Sequence, residues 1–432
     1  MWVILCFWLS LLKKVMRVLF IAIMLLAAVS CGIDEPVMPG RNDGVWTGPG
    51  INEGKEDPDK TVWYVTLLDY PDGYDWRADK DKGSVKCSLV VLANGIPMMK
   101  IPVGDRYETA SDPDMHRILG GHIYTDYSSE DETVVKKDGK MLFRYPGREI
   151  ICGMVVDSSG IHTLGEKRDG QGFSYRINGS LILERFSGRT FGRLQKDGND
   201  ICFAFSETVG SAADGVQRYY HVRNGDVSQT ALREDVKHVW DIVSYGGEVI
   251  YLADIVGVAA PVLFHSESME LLHMPASTRM TACRLAIAEG RPVLEGIYAS
   301  PGKSLTGGIW RRPDQCHAFP EGLSLSSMCL RDGSISCILN PSSSSHPGKI
   351  FHNDVYHNLP DGYHSMGSNT VMFADGILQA GLSSKSCGKP VIWRDGQSDT
   401  LDYNGYVTSV TTNRTEDVML PKSASWTGPD LW

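Results

Sequence analysis

One hairpin pattern recurs along this chain at a nearly constant interval, and it constrains the fold more than any other feature. In the copy PVIWRDGQSDTL at 390–401, two β-rich runs flank an Asp-Gly pair. Asn-Gly and Asp-Gly tolerate positive φ at both central residues, which a type I′ hairpin turn requires. The equivalent turn positions are Gly95, Gly139, Gly179, Gly225, Glu267, Pro313, Asp354 and Gly396. They lie 40 to 46 residues apart, with a mean of 43, so the chain contains eight copies of one unit.

A second family of hairpins lies between these copies. Their turns fall at 157–160, 196–200, 245–248, 289–290, 331–334 and 375–376. Each unit therefore holds four short strands, and no segment after residue 60 has a sustained helical period with caps. Four strands, about 43 residues and glycine-rich turns in each unit predict an all-β fold, the β-propeller.

The number of blades follows from the number of hairpins. Eight outer hairpins predict eight blades, with one blade closed by both ends of the chain so that no long edge stays open. Seven blades is the alternative, in which 61–69 or the tail lies outside the ring. A linear solenoid would need polar capping repeats, and neither end of the repeat array supplies an obvious one.

The start of the chain carries an export pattern. From Met16, MRVLFIAIMLLAAVSCG has a charged start, an apolar core at 18–26 and small residues before a cysteine. We therefore interpret residues 1–30 as a signal peptide with Met16 as its true start; a signal anchor that stays in the membrane is the alternative. The AVSC that ends the run resembles a bacterial lipobox, which implies a lipid anchor on Cys31.

The stretch after the cysteine predicts a flexible tether. Residues 31–60 are rich in Pro, Gly, Asp and Glu and show almost no periodic apolar pattern. The expected organisation is a lipidated cysteine with its tether at 31–60 and the propeller at 61–432. The expected location is the outer membrane, with the domain at the cell surface or in the periplasm.

Charge and cysteine usage narrow the range of partners. Beyond residue 30 the chain has 52 acidic against 39 basic residues and no basic tract, so nucleic acid is not an expected partner. Export permits disulfides, and Cys329 with Cys337, which flank one turn, is the candidate pair. No Cys-x-x-Cys occurs, so a zinc site is not expected either.

Motifs that carry catalytic chemistry are missing from the sequence. There is no His-Glu-x-x-His and no Gly-x-Ser-x-Gly after a strand. Ser386 and Lys389 have the spacing of a nucleophile pair but do not open a helix; Asp79 and Asp81 resemble part of a calcium loop without its distal acid. We therefore predict no catalytic residue, no metal and no cofactor, although a propeller active site assembled from distant blades needs no linear motif.

The segments that join one unit to the next predict the face that binds a ligand. In a propeller the hairpin turns lie on one face, and the joining segments rim the channel on the opposite face. These segments contain arginines and aromatic residues, which suit a sugar or an anionic group. The candidate ligand-binding residues are Arg148, Arg189, Trp240, Arg279, Tyr363, His364 and Tyr406.

The hairpin series together with the lipobox resembles exported bacterial propeller lipoproteins of the type found in gut anaerobes. The resemblance covers about residues 61–420 and implies the architecture and the envelope location. Our hypothesis is a non-catalytic propeller that binds a glycan or an envelope protein on the channel face. A hydrolase or lyase acting on a polysaccharide is the first alternative, and a structural component of an envelope complex is the second.

Overall fold

The computed structural model describes residues 62–76, 87–103, 116–119, 122–128, 131–167, 172–191, 193–210, 215–265, 268–275, 278–288, 291–299, 306–331, 334–341, 347–365, 370–374, 377–384, 389–394, 396–412 and 418–419. They all belong to one compact unit, Trp46–Trp432. Within these ranges there is no helix with the length and the apolar character that crossing a membrane requires. The signal peptide, Cys31, the tether and the calcium-like turn lie outside the described residues.

The regular secondary structure of the described residues consists of β-strands. The first twenty are β1 (Trp63–Asp69), β2 (Cys87–Ala93), β3 (Ile96–Val103), β4 (His116–Leu119), β5 (His122–Ser128), β6 (Glu132–Lys137), β7 (Lys140–Pro146), β8 (Glu149–Asp157), β9 (Gly160–Lys167), β10 (Phe173–Ile177), β11 (Ser180–Arg185), β12 (Arg189–Thr190), β13 (Gln195–Asp197), β14 (Asp200–Val209), β15 (Val216–Arg223), β16 (Asp226–Gln229), β17 (Val236–Tyr245), β18 (Glu248–Ile255), β19 (Val262–His265) and β20 (Ser268–Leu271). The remainder are β21 (Arg279–Ala288), β22 (Arg291–Ala299), β23 (Thr306–Arg312), β24 (Gln315–Ala318), β25 (Leu323–Arg331), β26 (Ser334–Pro341), β27 (Lys349–His352), β28 (Val355–Asn358), β29 (Tyr363–His364), β30 (Val371–Ala374), β31 (Ile377–Ser384), β32 (Val391–Arg394), β33 (Gln397–Thr400), β34 (Gly405–Thr412) and β35 (Val418–Met419).

These strands form eight antiparallel sheets, which are the blades of a β-propeller. Blade 1 contains β34 and β1–β3, and blades 2 and 3 contain β4–β7 and β8–β11. Blade 4 contains β12–β16, blade 5 β17–β20, blade 6 β21–β24, blade 7 β25–β28 and blade 8 β29–β33. The all-β fold with eight four-stranded blades is therefore confirmed. In blades 4 and 8 the inner strand is split into two short pieces, β12 with β13 and β29 with β30.

Both ends of the repeat array close the ring, as the hairpin count predicts. The inner strand β34 pairs antiparallel with β1, from Trp63 opposite Thr412 to Asp69 opposite Gly405. The strand Trp63–Asp69 therefore belongs to a blade, and the seven-blade alternative is wrong. Near the tail, β35 adds a fifth strand beside β25, the inner strand of blade 7.

The outer hairpin turns have the backbone that their sequences predict. Asn94, Asp138, Asn178 and Asn224 have φ of 50 or 51°, and the glycine after each also has positive φ. Such a pair of left-handed residues is the type I′ turn that matches the twist of the two strands. The Asn-Gly and Asp-Gly pairs thus set the conformation of these turns.

Apolar clusters between neighbouring blades form the core. One cluster joins blades 5 and 6 around Trp310, and another joins blades 7, 8 and 1 around Trp393. These residues, with Phe264 and Phe351, each follow an isoleucine or leucine at the same position of their outer hairpins, and all four are buried. The side chain at this repeated position therefore packs between neighbouring blades.

The candidate disulfide between Cys329 and Cys337 is absent, and the register explains why. Both thiols are free and fully buried on the adjacent strands β25 and β26. Cys329 lies opposite Ser336, and Met328 lies opposite Cys337. The two cysteines therefore point to opposite faces of the blade, because successive side chains of a strand alternate. One joins the cluster shared with blade 8, and the other joins the cluster shared with blade 6.

Candidate functional site

The antiparallel order of each blade separates two faces of the propeller. In blade 3, the turns between β8 and β9 and between β10 and β11 lie at one end of the sheet. The connection from β9 to β10 and the joining segment from β11 to β12 lie at the other end. The second end is the face on which the sequence predicts ligand binding.

A cleft opens on that face where blade 2 leads into blade 3. Its volume is about 670 Å³. Three cations and two carboxylates line it together with a Pro-Gly corner: Pro146, Gly147, Arg148, Glu149, Lys167, Arg176 and Glu184. Five of the seven lining residues are charged, and they present both hydrogen-bond donors and acceptors.

The joining segment that carries Arg148 is held by a hydroxyl group from blade 2. The Thr133 hydroxyl donates to the Gly147 carbonyl at 2.9 Å and accepts from the Glu149 amide at 2.9 Å. The Gly147 amide donates to the Asp131 carbonyl at 2.8 Å. Gly147 has φ of 89°, a left-handed conformation that favours glycine at this corner. These bonds fix the direction in which the segment enters β8.

A buried ion pair forms the floor of the cleft. Arg176 Nη2 donates to Glu149 Oε1 at 2.9 Å, and the guanidinium lies 4.0 Å from the centre of the Tyr145 ring. Gly165 makes room for the carboxylate, since a Cβ there would lie 2.6 Å from Glu149 Oε2. Burial, followed by the nearby Glu149 charge, raises the pKa of Tyr145, so its hydroxyl stays protonated. The floor thus brings together residues of four strands, β7, β8, β9 and β10.

A second ion pair stands at the mouth of the cleft. Lys167 Nζ donates to Glu184 Oε1 at 2.8 Å, and both side chains are partly exposed. The same ammonium lies 3.9 Å from the centre of the Phe186 ring, which is 76% exposed. An exposed aromatic ring beside a charged pair is a surface on which a sugar ring can stack.

Only one of the predicted ligand-binding residues lines this cleft. Arg148 stands in its wall. Arg189 begins the inner strand of blade 4 and is exposed. Burial raises the pKa of Glu166, while the hydrogen bond from the Thr190 hydroxyl and then the Arg189 charge act to lower it. Arg279 begins the inner strand of blade 6 and is also exposed. The three arginines therefore lie on three blades of the same face.

The predicted aromatic residues, unlike the exposed arginines, are held by contacts within the fold. Trp240 is half-buried, and its Nε1 donates to Asp254 Oδ1 at 3.0 Å. The Tyr363 hydroxyl donates to the Lys389 carbonyl at 3.1 Å, and His364 follows it in β29. Tyr406 is only 3% exposed and packs against Trp76 with ring centroids 5.0 Å apart. These positions lie on blades 5, 8 and 1, so the structure does not bring them into the cleft.

The joining segments alone would not reveal the other charged residues of the cleft. Glu149, Lys167, Arg176 and Glu184 all belong to strands of blade 3. Their signal in the sequence is weak: charges of opposite sign stand within short strands that are otherwise apolar. Which charge meets which depends on the register of four strands.

The chemistry available in this cleft is recognition through hydrogen bonds and charge. Each of its two carboxylates accepts a bond from a cation, Glu149 from Arg176 and Glu184 from Lys167. Throughout the described ranges, no three His, Cys, Asp or Glu residues converge as metal ligands would. The cleft therefore offers a preorganised polar surface to a ligand.

Comparison with protein-family models and with curated proteins found no match. Comparison with solved structures found similarity to the β-propeller domain of the Trilobed protease from Pyrococcus furiosus, at 12% identity and a TM-score of 0.41, over 70% of this chain and 92% of that one. The acylaminoacyl peptidase of Pyrococcus horikoshii is similar at 11% identity and a TM-score of 0.41, over 74% of this chain and 55% of its own. The six-bladed lectin of Aleuria aurantia is similar at 10% identity and a TM-score of 0.30, over 56% of this chain and 92% of that one. Identities this low concern the fold alone, and the strand topology shows that fold to be a β-propeller.

Proposed function

We propose that this protein is an exported, lipid-anchored propeller that binds a glycan in the cleft between blades 2 and 3, without catalysis. The export and the anchor on Cys31 rest on the signal-like and lipobox-like sequence at 16–31. The glycan proposal rests on one observation, the cleft whose wall holds the paired side chains of Glu149 with Arg176 and of Lys167 with Glu184.

The composition of the cleft favours a sugar over an apolar ligand. Sugar hydroxyls both donate and accept hydrogen bonds, so they match a wall in which cations and carboxylates alternate. A volume of about 670 Å³ lies within the usual range of small-molecule sites, which is roughly 300–1,000 Å³. Phe186 adds an exposed ring at the mouth for the apolar face of a sugar.

The charge balance of the cleft favours a glycan that carries a carboxylate or another anionic group. Arg148, Lys167 and Arg176 supply three positive charges, and Glu149 and Glu184 supply two negative ones. Arg176 is buried against its partner, so Lys167 at the partly exposed mouth is the cation that an incoming anion would meet first, with the half-buried Arg148 in the wall beside it.

Calorimetric titration of neutral and acidic oligosaccharides into the compact unit Trp46–Trp432 tests this function. We expect saturable binding of at least one acidic oligosaccharide, and a loss of roughly tenfold or more in affinity for the Arg148→Ala and Phe186→Ala variants. Arg311→Ala is the matched control, because this partly exposed arginine lies on the outer hairpin of blade 6.

Two results would contradict the proposal. Cleavage of an oligosaccharide that depends on Arg148 and Lys167 would show an enzyme. Capture of an envelope protein that is lost in the same variants, with no binding of any oligosaccharide, would show a protein-binding site.

A further inference from the structure

Exposed apolar side chains concentrate on the outer strands of three neighbouring blades. The strands β3, β7 and β11 expose five of them, each between 42% and 61% accessible: Ile96, Met141, Leu142, Leu181 and Ile182. All five follow closely on the turn of an outer hairpin. We call these five residues the apolar rim.

The backbone of the apolar rim has irregularities that disfavour pairing with another strand. In blade 2 the register shifts between Val135 and Lys136, so that Leu142 has no residue opposite it. The same shift in blade 3 leaves Ile182 without an opposite residue. Such β-bulges twist an edge strand and interrupt its row of free backbone groups. The rim is therefore poorly suited to strand addition, whether by a peptide or by a second copy of this chain.

The charge around the apolar rim has the opposite sign to that of the whole protein. The chain has a net charge of −10, yet the outer hairpins of blades 1–3, at 87–103, 132–146 and 173–185, carry seven basic and three acidic residues. The corresponding hairpins of the other five blades carry six basic and seven acidic residues, at 216–229, 262–271, 306–318, 349–358 and 391–400. The apolar rim thus lies on the outer hairpins with the largest excess of basic residues, of which Lys136, Lys137 and Lys140 stand closest to it.

Individual lysines stand directly beside the apolar side chains. Lys140 is exposed and precedes Met141 and Leu142 in β7. Lys137 stands on the other side of the same turn and lies 5.9 Å from the centre of the Tyr124 ring. Apolar groups bordered by ammonium groups are what a surface needs to enter the boundary between lipid headgroups and acyl chains.

We propose that the apolar rim docks onto an anionic lipid surface. Leu142 and Ile182 would enter the headgroup boundary, and Lys137 and Lys140 would meet the lipid phosphates. Such a contact is weak by itself, but it is effective as a second membrane signal beside a lipid chain.

This orientation would leave the cleft accessible. Met141 and Pro146 lie at opposite ends of β7, about 17 Å apart at the usual rise per residue. The cleft is lined by Pro146 and Gly147, so its mouth belongs to the end of the blade away from the rim. A docked propeller could therefore still bind a ligand.

Vesicle co-sedimentation of the compact unit Trp46–Trp432, which has no lipidated cysteine, tests the proposal. The probes are vesicles of phosphatidylcholine alone and of phosphatidylcholine with an equal amount of phosphatidylglycerol. We expect binding to the phosphatidylglycerol vesicles that weakens with added salt, and at least about tenfold weaker partitioning for the Leu142→Ser/Ile182→Ser variant. Lys137→Glu/Lys140→Glu should lose binding to the same extent.

Met269→Ser/Leu271→Ser is the matched control, because these side chains are 51% and 57% exposed on β20, the outer strand of blade 5. It should bind vesicles as the parent protein does. Equal loss in the control and in the rim variant would overturn the proposal, and so would the absence of binding to phosphatidylglycerol vesicles. A concentration-dependent dimer that the rim variant abolishes would overturn it in favour of a second copy.

Discussion

Asn178 and Ile161 exchange two hydrogen bonds that tie the outer hairpin of blade 3 to its inner one. The Asn178 amide donates to the Ile161 carbonyl at 2.8 Å, and the Ile161 amide donates to Asn178 Oδ1 at 2.9 Å. The same exchange joins Asn94 with Trp63, Asp138 with Ile123, and Asn224 with Ile201. The Asn or Asp of each turn therefore does two things: it adopts positive φ, and its side chain satisfies an amide of the neighbouring hairpin.

Removal of this side chain should destabilise the protein. Asn178→Ala leaves the Ile161 amide without its acceptor and places a less tolerant residue at positive φ, so we expect a loss of about 1–3 kcal/mol in the free energy of unfolding. Urea denaturation followed by tryptophan fluorescence measures it. Asn178→Asp keeps the acceptor and is the control; equal stability of the two variants would contradict this role.

The two ion pairs of the cleft should differ strongly in their effect on stability. Glu149→Ala leaves the buried Arg176 guanidinium without its partner, which should cost about 3–5 kcal/mol in the free energy of unfolding. Glu184→Ala at the partly exposed mouth should cost no more than about 1 kcal/mol. Urea denaturation of the two variants measures both losses. Similar losses would mean that the Glu149–Arg176 pair is not desolvated in solution.

Asp157 should make the stability of the protein depend on acid pH. Burial opposes ionisation of its carboxylate, but hydrogen bonds from the Ser159 hydroxyl and amide and from His162 outweigh it and lower its pKa from 3.8 to about 2. A carboxyl with a lowered folded pKa stabilises the fold above its unfolded pKa and loses that effect as pH falls through the folded value. Asp157→Asn should therefore be less stable than the parent protein at neutral pH, and the difference should shrink between about pH 4 and pH 2.

Thermal melts of the parent protein and the Asp157→Asn variant across this pH range measure the effect. Ser159→Ala removes one hydrogen-bond donor to the Asp157 carboxylate. Its melting temperature should therefore differ from that of the parent protein over the same pH range, but by a smaller amount. A difference in melting temperature that stays constant from neutral pH to pH 2 would show that the carboxylate has no special stability in the fold.

Cys329 and Cys337 should stay reduced in the folded protein. Burial raises the pKa of Cys337 well above that of an ordinary thiol, and the two side chains point to opposite faces of blade 7. After exposure to a mild oxidant, both cysteines should still be alkylated once the chain is denatured, as peptide mass spectrometry would show. A peptide pair linked through these two residues would contradict the register of β25 and β26.

Much of the architecture could be predicted because its signals are local. The positive φ at Asn178 and the small size of Gly179 are properties of these residue types, so the turns and their period can be recognised in the sequence. The packing role of Trp393 follows from the same period, since a residue at a fixed distance from the turn meets the same environment in every blade. Arg148 could be selected for a related reason, because it stands in a joining segment whose face the strand order determines.

Fewer residues of the candidate site could be predicted from local signals of this kind. Tyr406 also stands near a joining segment, yet its ring is buried against Trp76, which precedes it by most of the length of the chain. Glu149 and Arg176 lie on strands in which a charged residue usually points to solvent, and their pairing depends on the space left by Gly165.

The sequence by itself determined the repeat and the turn chemistry, because these depend on backbone preferences within a few residues and on a constant period. It left seven or eight blades open, and the pairing of β34 with β1 decided for eight. Only the tertiary structure decided where the charges of blade 3 meet and which apolar side chains of blades 1–3 stay exposed. The physical reason is that ion pairing and burial are set by the register of neighbouring strands and the packing of neighbouring blades, and one residue of register exchanges the two faces of a strand.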